Sequence, residues 1–599
     1  MPPAQRRPLA PLRFWLMRTF VDVLRENTVH EDRAVTFVRT NGQERRVTYP
    51  ELWAEASRRG AAMRSLGLRK GERIALILPE PDEFVLSFIG ALAAGLVAVP
   101  MYPPATLAKM EAYGDTVRHV LAASQSRVVV TSEVLRPLLS AGLLGAGAKD
   151  TRLVLERELA AMDPTTSESV LPTVTGSDLA FLQFTSGSTS APKGVMVTHE
   201  NLSVNSHAIM FDGLRSTPED RGVSWLPLYH DMGLIGFVVA PVYALVQVMF
   251  LPTMSFIRRP SLWLDSIHKY RGSITFAPNF AFALATRAIT ETQAANWDLS
   301  CLRALGCGAE PIQADVLREF LARFGKRGLS PKSILPCYGM AEATLAMTFH
   351  DLGTPLDTDR IGLDAMKAGI AEPSKEAAGA LELVSCGKPF PGHELSIVDR
   401  EGNPLRERQV GEIWLRGPSV TAGYLGDAES TAETFGNGWL HTGDLGYQAE
   451  GNLYICGRAK DLIILNGKNH YPQDIERVAS CVDGIRDGQC VAFSRLTAEG
   501  AEEAVLVAES RRAGAAKDAL VEAVKQAVRA ELGVQLADIV FIKRGTLPKT
   551  SSGKVRRRET KQRLESGQLE LSGELGEAAE EPPAMPRIIA QENESRGTL

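Results

Sequence analysis

The chain is predicted to be an α/β protein: a large N-terminal domain of α/β subdomains with a β-rich part, followed by a small α+β domain. Three observations carry that reading. Short apolar runs alternate with helix-length segments through the first half, the texture changes after about Cys386 to short alternating strands with turn residues, and a mixed strand-and-helix segment follows Gly457.

The elements follow in order. Ile74 to Leu78, a helical run from Asp82 to Ala94, and Val97 to Val99 form a βαβ signature. Apolar runs recur at Arg127 to Val130, Ala180 to Phe184, Val223 to Leu226, Val246 to Leu251, Ile274 to Ala277 and Leu302 to Leu305. Most are separated by helix-length segments, which predicts an open, largely parallel layout with ligands at the carboxyl ends of the strands. Beyond Cys386 come Leu395 to Val398, Gly411 to Arg416 and Leu453 to Cys456, punctuated by Glu401-Gly402-Asn403-Pro404 and Gly451-Asn452. The last structured stretch has strands at Leu462 to Leu465, Val491 to Phe493, Ala504 to Val507 and Val540 to Ile542, with helices near Gln473 to Ala479 and Ala515 to Glu531.

These elements divide the chain into a large domain over 1–457, with its β-rich part at about 386–456, and a small domain over 458–565. Residues 566–599 are rich in Glu, Gly, Pro and Ser and predict a disordered tail.

Composition excludes several classes. At 599 residues and 44% hydrophobic content the chain supports about four units of roughly 150 residues. A net charge of -5 and a pI near 6.1 give no footprint for nucleic acid or an acidic membrane surface. The 7 cysteines form no Cys-x-x-Cys pair, against a disulfide framework or structural zinc and in keeping with a reducing cytoplasm. The N-terminal MPPAQRRPLAPLRFWLMRTF lacks the continuous apolar core of a signal peptide. Phe84 to Met101 is interrupted by Gly90, Gly95 and Pro100, so burial in a sheet protein is expected instead of a membrane span.

The chemistry concentrates at Phe181 to Thr198, FLQFTSGSTSAPKGVMVT. The hydroxyls of Thr185, Ser186, Ser188 and Thr189, the small Gly187 and Gly194, and the ammonium of Lys193 form a grip for a polyphosphate, which needs many donors and close backbone approach. It is not a Walker A loop, because no Gly-x-x-x-x-Gly-Lys-Ser/Thr run occurs. A flexible linker would not be flanked by the apolar runs Ala180 to Phe184 and Val195 to Val197.

Four further motifs follow: WLPLYHDMGL at Trp225 to Leu234, YGMAEAT at Tyr338 to Thr344, TGD at Thr442 to Asp444 with GRAKD at Gly457 to Asp461, and LPKTSSGK at Leu547 to Lys554. In this order, over about Thr19 to Glu565, they resemble the adenylate-forming superfamily of acyl-CoA synthetases, peptide-synthetase adenylation domains and luciferases. Within it the chain is most similar to the fatty acyl-AMP ligases, through FLQFTSGSTSAPKGVM, WLPLYHDMGLIG, SFIRRPSLWLDSIHKYR, APNFAFAL, LVSCGKP and KNHYPQDIE at Lys468 to Glu476. The long spacer between Glu342 and Gly387, with a segment inserted at about 351–380, resembles the insertion that sets these ligases apart from true CoA synthetases. Read on its own, that spacer is an ordinary surface loop.

The resemblance implies ATP-dependent activation of a medium- or long-chain fatty acid to acyl-AMP, then transfer to the pantetheine thiol of an acyl carrier protein. The alternatives are a fatty acyl-CoA synthetase using free coenzyme A and a non-catalytic adenylate-binding protein. The implied catalytic residues are Lys554, Glu342, Lys193 and His230. Thr185 to Thr189 and Lys193 would hold the β- and γ-phosphates, and Glu342 a hydrated Mg²⁺. Tyr338 would stack on adenine, with Gly308, Ala309 and Glu310 opposite and Gly339 and Met340 completing the slot. Asp444 would accept the ribose hydroxyls, Arg458 would add a ribose contact, and Lys460 matches the hinge. Met232, Gly233, Phe276, Asn279 and Phe280 are candidate acyl-pocket walls. His230 fits an acyl gate better than a metal ligand, since no His-Glu-x-x-His spacing occurs. Ala341 departs from the family pattern, which commonly has Thr before the acidic residue.

Overall fold

The structure, a computed structural model, describes residues 18–104, 110–140, 151–162, 171–185, 192–376, 379–465, 468–486, 488–497, 502–550 and 553–572. The predicted parallel strands are split between two sheets. The first has six strands in the order Arg152–Leu155, Val128–Thr131, Arg73–Ile77, Val97–Pro100, Leu179–Thr185 and Lys193–Thr198, all parallel except the last.

The second has nine strands. Its parallel centre is Ile334–Gly339, Ala304–Cys307, Ile274–Ala277, Arg221–Ser224, Gln247–Phe250 and Ala34–Val38. Antiparallel strands close both edges: Ala346–Phe349 with Lys388–Pro389 on one side, Glu44–Thr48 on the other. Val97–Pro100, Ile274–Ala277 and Ala304–Cys307 are buried along their whole length, as expected of parallel strands covered on both faces.

The β-rich part is a four-stranded antiparallel sheet of Glu394–Val398, Gly411–Arg416, Leu440–Ala449 and Asn452–Arg458. The small α+β unit pairs Cys490–Leu496 antiparallel to Glu502–Glu509, which runs parallel to Leu536–Ile542. Helices Pro472–Ser480 and Ala515–Leu532 pack on that sheet through Ile475, Val478, Leu520, Val524 and Val528.

The spacer is ordered secondary structure where a surface loop was the simple expectation. Thr358–Gly362 pairs antiparallel with Ala380–Val384, and helix Leu363–Lys367 follows the first strand. Ile361, Met366 and Leu381 are buried in one core with Tyr447 and Tyr454 of the β-rich sheet and Ile475, Val478 and Leu532 of the small unit. Asp359 Oδ2 accepts from both Tyr447 Oη and Arg408 at 2.8 Å. The inserted hairpin is therefore wedged between the two modules.

The tail reading needs one correction. Residues 566–572 are not free: Lys543 N donates to Glu570 O and Ser572 N to Phe541 O, each at 2.9 Å, and Leu571 bridges Ile542. Backbone pairing to an open sheet edge, with Leu569 against the core beside Val540, outweighs the polar composition. Residues 573–599 lie outside the described residues. All seven cysteines are free thiols. No described helix is long and apolar enough to cross a membrane.

Candidate active site

The phosphate-loop candidates start at Thr185, which ends its strand as the register partner of Lys193, the first residue of the next. The ends of the loop are thus held side by side, while Ser186, Gly187, Ser188 and Thr189 lie outside the described residues. The Lys193 ammonium donates to Ser430 Oγ, lies 3.6 Å from Asp427 Oδ2 and sits 5.2 Å from the Tyr424 ring centroid. Tyr424 Oη in turn donates to Glu342 Oε1 at 2.8 Å. One aromatic residue therefore links the lysine of the first sheet to the acid of the second.

Glu342 sits in the turn Ala341–Ala343, held by Thr421 N donating to its carbonyl at 2.9 Å. The chain then reverses through a γ-turn centred on Thr344 (φ 70°, ψ -63°), closed by Leu345 N donating to Ala343 O at 2.9 Å. That conformation is strained for a β-branched residue, and the Thr344 hydroxyl pins it by donating to Ser419 O at 2.6 Å. Burial pushes the Glu342 carboxyl above its usual range, opposed by the Tyr424 hydrogen bond. A desolvated carboxylate facing a cavity suits a bound cation. The described residues bring no three His, Cys, Asp or Glu side chains together as a metal cage.

Tyr338 is the penultimate residue of strand Ile334–Gly339, and its hydroxyl donates to Asp444 Oδ2 at 2.8 Å. Arg458, cross-strand partner of Asp444, donates to the other oxygen at 3.0 Å. Gly339 has no substitute, because a Cβ there would lie 1.8 Å from Leu345 O. Ala309 turns the chain with φ 71° after strand Ala304–Cys307, and Glu310 accepts from Phe280 N at 2.6 Å. Ala309, Glu310, Tyr338, Gly339 and Met340 all line one cavity. Gly308 does not line it: it packs against Cys337, whose Sγ would meet a Cβ at 2.7 Å.

Lys554 follows Gly553 (φ 91°) in a tight loop where Thr550 N donates to Lys554 O at 2.7 Å. Its ammonium enters the same cavity. Burial lowers its pKa, and the negative charges that oppose this are Asp231 first, then Glu310 and Asp444. His230 and Asp231 share a hydrogen bond of 2.7 Å, and Asp231 also accepts from Met232 N at 2.7 Å. Lys460 lies on the exposed turn Ala459–Asp461, its Nζ 3.6 Å from Glu433. Arg557, three residues past Lys554, is paired with Glu476 and lies 3.4 Å from Asp461, so the lysine loop is tied to helix Pro472–Ser480 and to the turn Ala459–Asp461.

The cavity, about 1840 Å³, runs from this polar end into an apolar arm. Ile209, Met210, Phe237, Val246, Phe276 and Phe349 supply its apolar lining, and Met232, Asn279 and Phe280 also line the cavity. Phe276 packs over Gly306, where a Cβ would lie 1.9 Å from the ring. Two π-helical turns, Ala208–Gly213 and Leu234–Val239, flank the arm, a conformation that recurs at functional sites. Gly233 is not a wall; it is buried against Pro227 O, which a Cβ would approach to 2.2 Å. Sequence reading missed Asp231, Tyr424, Asp427 and Ser430. Asp231 was legible as the acid inside WLPLYHDMGL, whereas the others gain meaning only from the fold that brings Lys193 to them.

Lys193, Glu342, Asp444 and Lys554 thus share one cavity with a largely apolar lining, the layout expected of an enzyme that joins a nucleotide to an apolar acid. The family described as AMP-binding enzyme matches residues 24–425, and the family described as Disco-interacting protein 2-like, AMP domain, matches residues 460–574. A Caulobacter vibrioides protein named as an acyl-CoA synthetase is 37% identical over 86% of this chain and 89% of its own length. A long-chain-fatty-acid AMP ligase, FadD26 of Mycobacterium marinum, is 34% identical over 88% and 92%. JamA of Moorena producens, a medium-chain-fatty-acid acyl-carrier-protein ligase, is 32% identical over 92% and 96%. A solved structure from a study of fatty acyl-adenylate ligases of E. coli and L. pneumophila superposes with a TM-score of 0.86 at 36% identity, covering 92% of this chain and 99% of that one. The chain belongs to the AMP-binding, adenylate-forming enzyme family.

Proposed function

We propose that the protein is a fatty acyl-AMP ligase: it activates a medium- or long-chain fatty acid with ATP to acyl-AMP, releases pyrophosphate, and passes the acyl group to the pantetheine thiol of an acyl carrier protein. The observation that carries this reading is the continuity of the apolar arm with the polar end holding Lys554, Asp444 and Glu342. The arm takes the hydrocarbon, leaving the carboxylate at the polar end.

The residues divide the work. Tyr338 offers a ring to adenine, and Asp444, fixed by Tyr338 and Arg458, presents its remaining lone pairs to ribose hydroxyls. Lys193 and Thr185 stand at the ends of the phosphate loop. Lys554 neutralises the charge that builds between the attacking carboxylate and the α-phosphate, which is where preorganised cations lower such barriers. Glu342 would hold Mg²⁺, which supplies charge neutralisation on phosphate oxygens when bound. His230, oriented by Asp231, stands beside Met232 at the entrance of the arm. Lys460 is the hinge about which the small domain, 458–565, turns between the two half-reactions, and the protein works in the cytoplasm.

Incubating the protein with ATP, Mg²⁺ and fatty acids of graded length, with and without coenzyme A, tests the reading. Acyl-AMP that persists in the presence of coenzyme A supports it. Ready conversion to acyl-CoA identifies a synthetase instead, the reading favoured by the name of the Caulobacter relative, and no adenylate from any acid leaves a binding protein.

A further inference from the structure

Tyr424 stands where two sheets and a helix meet. Its backbone belongs to the six-stranded sheet: Val195 and Tyr424 bridge antiparallel, Met196 N donates to Gly423 O at 3.0 Å, and Leu425 N donates to Gly194 O at 2.9 Å. Residues 423–425 therefore add a short rung to the open edge formed by Lys193–Thr198, directly after Lys193 itself. The turn that delivers this rung is crowded, since Gly423 has φ 127° and a Cβ there would lie 2.3 Å from Thr431 Cγ2. Tyr424 N donates to Thr431 Oγ1 at 3.0 Å, which ties the rung to helix Ala428–Thr434.

The side chain is held as firmly. Tyr424 is buried, lines the cavity, and packs edge-on to Phe435 with 5.7 Å between ring centroids. Its hydroxyl donates to Glu342 Oε1 at 2.8 Å, and Thr421 N donates to Glu342 O at 2.9 Å, so one segment holds the acid by both side chain and backbone. The Lys193 ammonium lies over the Tyr424 ring, 5.2 Å from its centroid, with Ser430 Oγ and Asp427 Oδ2 of the adjoining helix cap as its other neighbours.

The two contacts do different work. A carboxylate offers about four lone-pair sites, and a phenol on one oxygen sets its plane while leaving acceptors for a cation. That donor favours the charged carboxylate and so opposes the burial that would neutralise Glu342. An aromatic face attracts an ammonium without neutralising it, which leaves Lys193 its charge for an anionic ligand. Every residue in this arrangement precedes the small domain, so turning that domain does not dismantle it.

We propose that Tyr424 is the positioning residue for the pyrophosphate end of the site: its hydroxyl aims Glu342 at the metal ion carried by ATP, and its ring seats Lys193 against the leaving phosphates. The inference rests on the ligase reading above and gives a role to a residue which that reading leaves without one.

The experiment compares full-length wild type with Tyr424→Phe, which keeps the ring, and Tyr424→Leu, which removes both contacts. Mn²⁺ serves as a paramagnetic stand-in for Mg²⁺: it is titrated into protein and ATP without fatty acid, and water-proton relaxation reports the Mn²⁺·ATP held by the protein. Pyrophosphate release with fatty acid is then measured against free Mg²⁺, and acyl transfer from supplied acyl-AMP to free pantetheine is followed separately. Tyr424→Phe is expected to weaken Mn²⁺·ATP binding, and to raise the Mg²⁺ needed for half-maximal pyrophosphate release, by about fivefold, the scale of one hydrogen bond. Tyr424→Leu is expected to lower kcat at saturating Mg²⁺ by a further factor of roughly ten, from the lost seat of Lys193. The KM for the fatty acid does not move, and transfer from acyl-AMP, which no longer involves pyrophosphate, persists in both variants. Wild-type Mn²⁺·ATP binding and Mg²⁺ requirement in Tyr424→Phe overturn the proposal. Equal losses in both half-reactions with a lowered melting temperature also overturn it, assigning the residue to packing against Phe435. Wild-type protein that forms no adenylate from any fatty acid overturns the ligase reading instead, and the Mn²⁺·ATP titration, which needs no acid, still decides the role of Tyr424.

Discussion

Tyr338 Oη and Asp444 Oδ2 are joined by a hydrogen bond of 2.8 Å, and Arg458 takes the other carboxylate oxygen at 3.0 Å. The adenine-stacking candidate and the candidate ribose acceptor are thus one unit, built from the last parallel strand of the nine-stranded sheet and the β-rich sheet. Tyr338→Phe keeps the ring but frees the carboxylate to turn, which at about 1 kcal/mol for one hydrogen bond predicts a KM for ATP raised roughly fivefold with kcat little changed. Asp444→Asn leaves Arg458 unpaired and is expected to lower kcat/KM by about 100-fold, in line with about 3 kcal/mol for a charged partner. Initial rates of pyrophosphate release read both; an unaltered KM in Asp444→Asn would remove it from the nucleotide site.

Lys554→Ala is expected to reduce pyrophosphate release by about 10²–10³-fold, the scale for losing one preorganised charge-stabilising group. Transfer from supplied acyl-AMP should persist, because that step does not build charge on the α-phosphate. Equal losses in both half-reactions would show that the substitution disturbs the fold of the small domain instead.

Replacing residues 363–379 by a short Gly-Ser turn joins strands Thr358–Gly362 and Ala380–Val384 directly and removes Met366 from the shared core. If the wedge holds the small domain in the adenylating pose, thioester formation with coenzyme A rises while acyl-AMP synthesis continues. Chromatographic separation of acyl-AMP from acyl-CoA gives the ratio, and a ratio identical to wild type would count against the wedge.

His470 sits at the contact between the inserted helix and the small domain, and burial followed by Lys367 and Lys468 lowers its pKa from 6.5 to about 4. The neutral ring is the folded form, so its contribution is fully present above pH 6.5. It is lost progressively as pH falls towards 4, where only the unfolded or opened state takes up the proton. At pH 5 the cost is about 2 kcal/mol, from 1.36 kcal/mol per pKa unit. Hydrogen exchange in helix Pro472–Ser480 should accelerate between pH 7 and pH 5 beyond the intrinsic trend, and His470→Asn should flatten that difference.

The parallel strands were legible because burial on both faces turns them into plain apolar runs, as at Ile274–Ala277 and Val128–Thr131. Their division between two sheets was not, since an apolar run carries no record of its neighbour. The edge hairpin Ala34–Val38 with Glu44–Thr48 escaped notice because its second strand reads ERRVT, polar on its open side. The inserted hairpin hid for the same reason, TDRIG and ALELV giving only weak alternation. At the site, the motif residues Lys193, Glu342, Tyr338, Asp444 and Lys554 line one cavity, whereas Gly233 and Gly308 do not. Tyr424 was not legible, because its partners Glu342 and Lys193 lie on different sheets and meet it only after folding.

The two π-helical turns beside the apolar arm have a bearing on how this cavity can be reshaped. A helical residue advances about 100° around its axis, and a π turn holds one residue more than the regular α repeat. Deleting a single residue from Ala208–Gly213 or Leu234–Val239 would let the turn revert to α geometry and re-aim the side chains within the turn, presenting a different set to the lumen. Wall composition in this fold is thus open to change by one-codon deletions as well as by exchange of side chains, and alignments that place gaps elsewhere will compare residues that face different ways.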